Sequence, residues 1–459
     1  MKNYLPLFLI ISAAILACQP EEEIIDRSPS RELHFTSDTV LFDTIFTSIG
    51  SVTKRFRVLN PNENAILIDR IYLGGGSDSQ YEITLNGRQG DEFENETLLG
   101  MDSMLVLVKV NIDPEDQDLP FLVEDSLIFE VNTQRNDVKL LTWGQTANFL
   151  NDSILSCESN WTKNRPYVIL NNILIDSLCR LTIEKGVEIY LGNASNIFVQ
   201  GTIVVSGDSV EPVIFSSIRQ DEAFINTPGQ WGGIFLLEGS KNNKVTHAVI
   251  RNGNIGFRIG TPDTDTIPDL VVSNTVIENM LTAGVLSFTS DLLMSNTLVH
   301  NCGNWTVANL AGGNYTYHHC TFSDLSLSTF RDEPTVSWSD NLVLDNDELL
   351  VDDFYVELRN SIIWGVLENE ISLSASQQAN FTILTGNNIL KTDLTDIFET
   401  QNILNLNPKF LQPRTGNYRL DTLSPAIDAG VELGYPFDLR GKPRDQQPDL
   451  GAFERIENP

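Results

Sequence analysis

The sequence is poor in the residues that carry most metal and redox chemistry: 459 residues include five cysteines and five histidines. No cysteine or histidine pair stands at the CxxC or CxxH spacing of a structural metal site. Nucleophile elbows, phosphate loops and zinc motifs are missing as well, which removes the common hydrolase and nucleotide-binding signatures. Basic residues are scarce, with 30 Lys and Arg against 62 Asp and Glu and a formal charge of −32. That balance disfavours nucleic acid and anionic lipid as partners held through basic patches, and it favours solubility and attraction of cations. Long amphipathic helical patterns hardly occur. What recurs instead are β-branched runs of four to seven residues bounded by Asn, Asp, Gly and Ser, so an all-β protein is predicted.

The N-terminus has its own pattern. Met1 to Ala17 carries Lys2, then an apolar run from Leu5 to Leu16 broken by Pro6 and Ser12. That is the layout of a secretory signal, too short to span a bilayer stably. Ile15-Leu16-Ala17-Cys18 resembles a bacterial lipobox, with Leu16 departing from the usual Ala or Ser. The resemblance implies a signal peptide over 1–17 and lipidation of Cys18; the alternative is a cleaved, soluble secreted protein. Gln19-Pro20-Glu21-Glu22-Glu23 is similar to the surface-export signal of Bacteroidota lipoproteins, which implies an outer-membrane anchor facing the cell exterior. As chemistry alone, residues 18–32 form an acidic tether that repels itself and stays extended.

Residues 33–150 hold strand-like runs at Lys54–Leu59, Ile66–Leu73, Tyr81–Leu85, Met104–Ile112, Asp125–Val131 and Val138–Trp143, separated by turn clusters such as Asn60-Pro61-Asn62 and Gly74-Gly75-Gly76. Strands this short and this evenly spaced predict an immunoglobulin-like β-sandwich. Phe42 to Gly50, Phe56 to Pro61 and Val108 to Pro114 resemble the Hydin-like immunoglobulin modules of bacterial surface proteins, which implies a spacer or docking role.

Residues 151–405 are repetitive. His247 to Asn252, Asn274 to Asn279, Asn296 to Asn301 and His319 to Asp324 align without gaps, and Asn360-Ser361-Ile362-Ile363 restarts the pattern. Repeats of this length and β content fit single coils of a parallel β-helix. Ile250, Ile277, Val299 and Phe322, at the fourth place, are expected to stack inside, rung on rung. Asn252, Asn279, Asn301 and Asp324, at the sixth, are expected to stack at a turn, where Asn and Asp tolerate left-handed backbone. The 41 residues before Asn360 mean two coils, or one coil with a long loop. Leu181 to Tyr190, Phe198 to Gly207, Pro212 to Ser217 and Gly229 to Ile234 resemble the early coils of secreted right-handed parallel β-helix proteins. Residues 406–459, with Ser424-Pro425-Ala426-Ile427-Asp428-Ala429-Gly430, Asp438 to Arg444 and Pro448 to Glu454, resemble a terminal segment of bacterial surface β-helix proteins. With Cys18 set aside, four cysteines remain, read as buried thiols or at most two disulfides. Cys302 and Cys320 fall at different places of successive coils, so Cys157 with Cys179 is the favoured pair if a bridge exists.

No catalytic residue is assigned. The right-handed β-helix resemblance brings in pectate lyases and polygalacturonases, yet Asp352-Asp353 and Arg258-Ile259 lack the rest of the polygalacturonase pattern. Asp263, Asp265 and Asp269 are the one acidic cluster that Ca2+ could use, and they read as an ordinary Pro-containing loop. No cofactor is expected. His318-His319 is expected to serve a turn. Trp305, Trp338 and Trp364 are candidate ligand contacts, because rings exposed on a coil face can stack on sugars. Asp followed by Ser or Thr and an aliphatic residue or Met occurs nine times, from Asp38 to Asp421, where composition would give roughly two. The motif resembles the O-glycosylation acceptor of Bacteroidota; read bottom-up, it is a turn signal before a strand.

The expectation is therefore a cell-surface lipoprotein, non-catalytic, whose β-helix binds glycan or an envelope or matrix protein. The alternatives are a polysaccharide lyase or glycoside hydrolase with a divergent site, and a purely structural envelope component.

Overall fold

The computed structural model describes residues 24–26, 32–47, 50–51, 53–112, 121–132, 134–221, 224–260, 267–325, 331–398 and 400–455. Cys18, the signal and most of the tether, with Asp263 and Asp265, lie outside the described residues. The chain forms two compact units, 1–146 and 147–459.

The first unit is built of two five-stranded sheets. One runs in the order His34–Phe35, Lys54–Leu59, Ser103–Val110, Tyr81–Leu85, Arg88–Gly90. The other runs Thr39–Phe46, Gln134–Gln145, Phe121–Val131, Ile66–Leu73, Glu92–Leu98. Strict alternation explains why they face each other: in Lys54–Leu59, Phe56 and Val58 point inward while Arg55 and Arg57 are exposed. Val58, Ile83 and Val106 from one sheet share a core with Ile71, Leu127 and Leu140 from the other. The Asn60-Pro61-Asn62 turn is pinned by buried Asn60, whose amide donates to the carbonyls of Asn64 at 2.9 Å, Leu98 at 3.1 Å and Leu99 at 3.0 Å. Glu92–Leu98 escapes sequence reading because only Phe93 and Leu98 of its seven residues are buried. It is an edge strand, where acidic side chains discourage pairing with another chain.

The second unit is a parallel β-helix. Its strands fall into three columns. The first is an eleven-stranded sheet from Asn148–Leu150 to Ile403–Leu404. The other two meet in a sixteen-stranded sheet, because Ala283–Ser295 and Trp305–His318 run through both columns without a break. The corner between those columns then becomes a bulge between Phe288 and Ser290, where Thr289 and Ala311 take φ of 44° and 61°.

The fourth-place residues do stack. In successive parallel pairings Ile189, Phe215, Ile250, Ile277, Val299, Phe322, Ile363 and Leu390 follow one another, all fully buried. At the sixth place Asn252, Asn279 and Asn301 are left-handed, with φ of 54° to 67°. Their amides form a ladder, Asn301 donating to Asn279 at 3.3 Å and Asn279 to Asn252 at 3.5 Å. Asp324 departs from this expectation: it is the last residue of strand Thr321–Asp324, without a positive φ, and its carboxylate faces Arg331 at 3.3 Å. The first place forms a second left-handed corner, with His247, Asn274, Asn296, His319 and Asn360 at φ of 45° to 52°. Thr321–Asp324 pairs directly with Ile362–Gly365, so the 41-residue interval is one coil. Its extra length includes the hairpin Asn341–Val343 with Leu349–Val351.

Cys157 and Cys179 are bridged, with Cα atoms 4.5 Å apart. Cys302 and Cys320 are free and buried.

Candidate functional site

The C-terminal segment lies on the outer face of the first column. Tyr418, Leu439, Ala452 and Phe453 pack on Leu298, while Leu420, Ala426 and Leu450 pack on Ile362, Trp364 and Ile389. Its distinctive motif works as a polar latch. The buried Asp438 carboxylate accepts the backbone N–H groups of Arg440 at 2.9 Å, Lys442 at 2.7 Å and Glu454 at 2.9 Å. Asp449 does the same for Asp428 and Arg455, at 2.9 and 2.7 Å. Arg444 bonds Glu454 at 2.9 Å and reaches Asn296 of the first-place corner at 3.0 Å. Asn360 clasps Val431 through both its amide nitrogen and its amide oxygen, at 2.6 and 3.1 Å. Gly451 sits at φ +88°, and a Cβ there would fall 2.6 Å from Thr321 Oγ1. The signature is thereby accounted for as architecture.

Where this segment leaves the earlier coils uncovered, a cleft of about 570 Å³ remains. Part of the row of fifth-place residues, which face outward from the coil, reaches it: Arg251, Glu278, His300, Ser323 and Trp364 are successive register partners. Glu278 and His300 lie in the cleft and are paired, Oε2 to Nε2 at 3.1 Å. Burial works to raise the Glu278 pKa, but the His300 bond and the Arg251 charge outweigh it and leave the carboxyl below its ordinary value. His300 is 2% exposed and packs against Tyr418 with ring centres 4.8 Å apart. His247, also in the lining, is held below the usual histidine range by burial. The opposite wall is Arg419, Arg440, Lys442 and Phe453 from the C-terminal segment. A second cleft of about 430 Å³ shares those four residues.

The expected tryptophans lie elsewhere. Trp338 is a correction: it is fully enclosed in the coil interior, because its chain neighbour Ser337 takes the outward place. Trp364 faces outward but is covered by the C-terminal segment, with 8% exposure and Lys391 over its ring at 5.2 Å. Trp305 is half-buried at the start of its strand. The rings that do sit half-exposed in a row are phenylalanines: Phe198 and Phe235 are register partners 5.4 Å apart, and Arg258, next in register, lies over Phe288. Sequence reading passed over these and over Glu278 and His300, although their place beside the interior residue of each repeat was available as a signal.

His319 occupies a left-handed corner and bonds the Asn360 amide at 3.0 Å. Asp353 accepts both the backbone and side-chain N–H of Asn380 at 2.9 Å. Asp269 caps the neighbouring coil by accepting the Asp291 N–H at 3.0 Å. Among the described residues no three or more His, Cys, Asp or Glu are grouped to hold a metal ion.

Residues 153–266 match the family model described as a pectate-lyase-like β-helix domain. No curated protein matches the chain. Among solved structures it is similar to the catalytic domain of Agl-KA, at 10% identity over 73% of this chain and 80% of that one, with a TM-score of 0.23. For a GH87 α-1,3-glucanase from Streptomyces thermodiastaticus the figures are 11%, 73%, 78% and 0.17. A family 123 glycoside hydrolase from Clostridium perfringens is 8% identical with a TM-score of 0.19, covering 29% of this chain and 31% of that one. At such scores the solved structures carry no argument about activity, and the family match identifies residues 153–266 as β-helix.

Proposed function

We propose that this chain is a non-catalytic surface lipoprotein of the Bacteroidota outer membrane, acylated at Cys18, in which an immunoglobulin-like spacer carries a right-handed β-helix that binds a glycan. Glycan attached to an envelope or matrix protein fits the same description. The observation that carries the reading is the cleft between coil face and C-terminal segment: it has the volume of a small-ligand site and combines apolar side chains such as Val249, Val276 and Phe453 with charged heads. The one acid–base pair there is turned on itself and roofed by Tyr418, an arrangement suited to holding a wall rather than to reaching a substrate. Ser177 of the Asp-Ser/Thr motifs is exposed and lies outside the clefts, which suits O-glycosylation of an exported protein.

A second reading, a divergent polysaccharide lyase or hydrolase, draws on Glu278, a carboxylate kept ionised inside the cleft. A depolymerisation screen on acidic and neutral polysaccharides separates the two. No product is expected; robust product lost in Glu278→Gln would replace the first reading with the second. For the anchor, Cys18→Ala should move the protein out of the membrane fraction, and retention there would refute lipidation.

A further inference from the structure

The two adjoining clefts share an uncompensated positive charge on a chain whose formal charge is −32. On the carboxylate side every group is already engaged. Asp208 is bonded by Lys185 Nζ at 2.9 Å and by the N–H groups of Val210 and Glu211 at 2.9 and 2.7 Å. Glu278 is held by His300, Asp438 by three backbone N–H groups, and Glu454 by Arg444. On the cationic side the reverse holds for Arg419, Arg440 and Lys442, the cations common to both clefts. Arg440 and Lys442 are exposed and make no ion pair with any described carboxylate, and Arg419 Nε donates to the neutral amide oxygen of Asn417 at 3.0 Å.

What marks the clefts is that three such cations line them together. Elsewhere exposed cations either pair with acids, as Lys163 does with Glu211, Arg88 with Glu96 at 2.6 Å and Lys139 with Asp137 at 2.7 Å, or stand outside these clefts, as Lys241 and Lys244 do. Arg419, Arg440 and Lys442 are kept apart from acids by the latch itself, which turns Asp438 and Glu454 inward to cap backbone groups. Phe453, shared by both clefts, supplies an apolar face next to them.

Resting on the glycan-binding reading, we infer that the ligand is an anionic oligosaccharide, bearing carboxylates or sulfate esters, that runs along the two clefts past Arg419, Arg440 and Lys442. Arginine pairs bidentately with such oxyanions, and its charge-assisted bonds are stronger than those to hydroxyls. A densely charged polymer such as nucleic acid is repelled at long range by the acidic surface, whereas a sugar chain with spaced charges meets the cations only at contact distance.

The test uses the full mature chain and titration calorimetry with three probes of equal length: a uronic-acid oligosaccharide, a sulfated one and an uncharged one. Binding is expected for at least one anionic probe, weakening severalfold as ionic strength is raised, with the uncharged probe at least tenfold weaker. Which anionic probe binds more tightly distinguishes carboxylate from sulfate. Arg440→Gln combined with Lys442→Gln should cost tenfold or more in affinity for that probe, while Lys241→Gln, an exposed cation outside the clefts, should leave it unchanged; thermal melting checks that each variant is folded. Equal binding of charged and uncharged probes, or parental affinity in the double variant, overturns the inference and leaves the glycan-binding reading standing. If no probe binds, that reading falls as well.

Discussion

The coil stack and the C-terminal segment that lies on it are held by opposite means. In the stack, one class of apolar residue returns at the same place in every coil, and each ring or branched chain is buried by its copies above and below. In the segment almost nothing repeats: buried carboxylates and one buried arginine satisfy backbone groups one by one. In the first arrangement a changed rung costs packing energy but leaves the register of its copies in place. The second has no duplicate of any part, so a single deletion should free a whole stretch of chain.

The largest effect should come from the stack. Phe322→Ala removes a fully buried ring between Val299 and Ile363 and should cost about 4 kcal/mol in denaturant unfolding of the β-helix. Should the loss be below about 1 kcal/mol, the rungs would not be packed as this register requires.

Next comes Asp438→Ala, which orphans three N–H groups at a site 1% exposed and should cost about 3 kcal/mol. Its signature differs in place as well as size. Hydrogen exchange should rise over residues 431–455 and at the Leu298 face they cover, while the interior strands keep their protection. Uniform loss across the coils would erase the distinction between stack and latch.

The same contrast governs what could be read in advance. Burial inside a coil forces one residue class on every rung, so the fourth-place residues and the asparagine ladder declare the β-helix from sequence. The outward fifth place is under no such constraint; Arg251, Glu278, His300, Ser323 and Trp364 share no chemistry, and their common row becomes visible only in the register. What covers them comes from far along the chain, as in the bond from Asn296 to Phe437, 141 residues away. Trp338 illustrates the related error: its side-chain type suggested a ligand contact, but the two-residue alternation of its strand turns it inward. Glu92–Leu98 shows the same blindness in the first unit, where a strand with two buried residues reads as loop.

The smallest predicted effect lies where the two arrangements meet, at His319. It holds a left-handed corner of the stack, is 1% exposed, and lies under Arg444 of the latch. Burial, reinforced by the Arg444 guanidinium and His318, keeps its imidazole neutral far below the ordinary pKa of 6.5. The unfolded chain takes up a proton near that value and the folded one does not, so stability contributed by His319 is present above it and lost as pH falls below it. At pH 5 the loss should be about 2 kcal/mol. His247 and His318, both lowered chiefly by burial, act with the same sign. Glu454, pushed up by burial to about 7, acts oppositely, since the unfolded acid ionises first and stability falls as pH rises toward that value. Comparing the parent with His319→Asn cancels these shared contributions. Asn is the residue at the equivalent corners 274, 296 and 360, so the variant should lie within about 1 kcal/mol of the parent at pH 7.5. Between pH 7.5 and 5 it should then lose about 2 kcal/mol less. Parallel pH profiles for the two proteins would mean that the folded latch admits a proton on His319, and that the contact between Arg444 and the first-place corner is looser than its 3.0 Å bond to Asn296 implies.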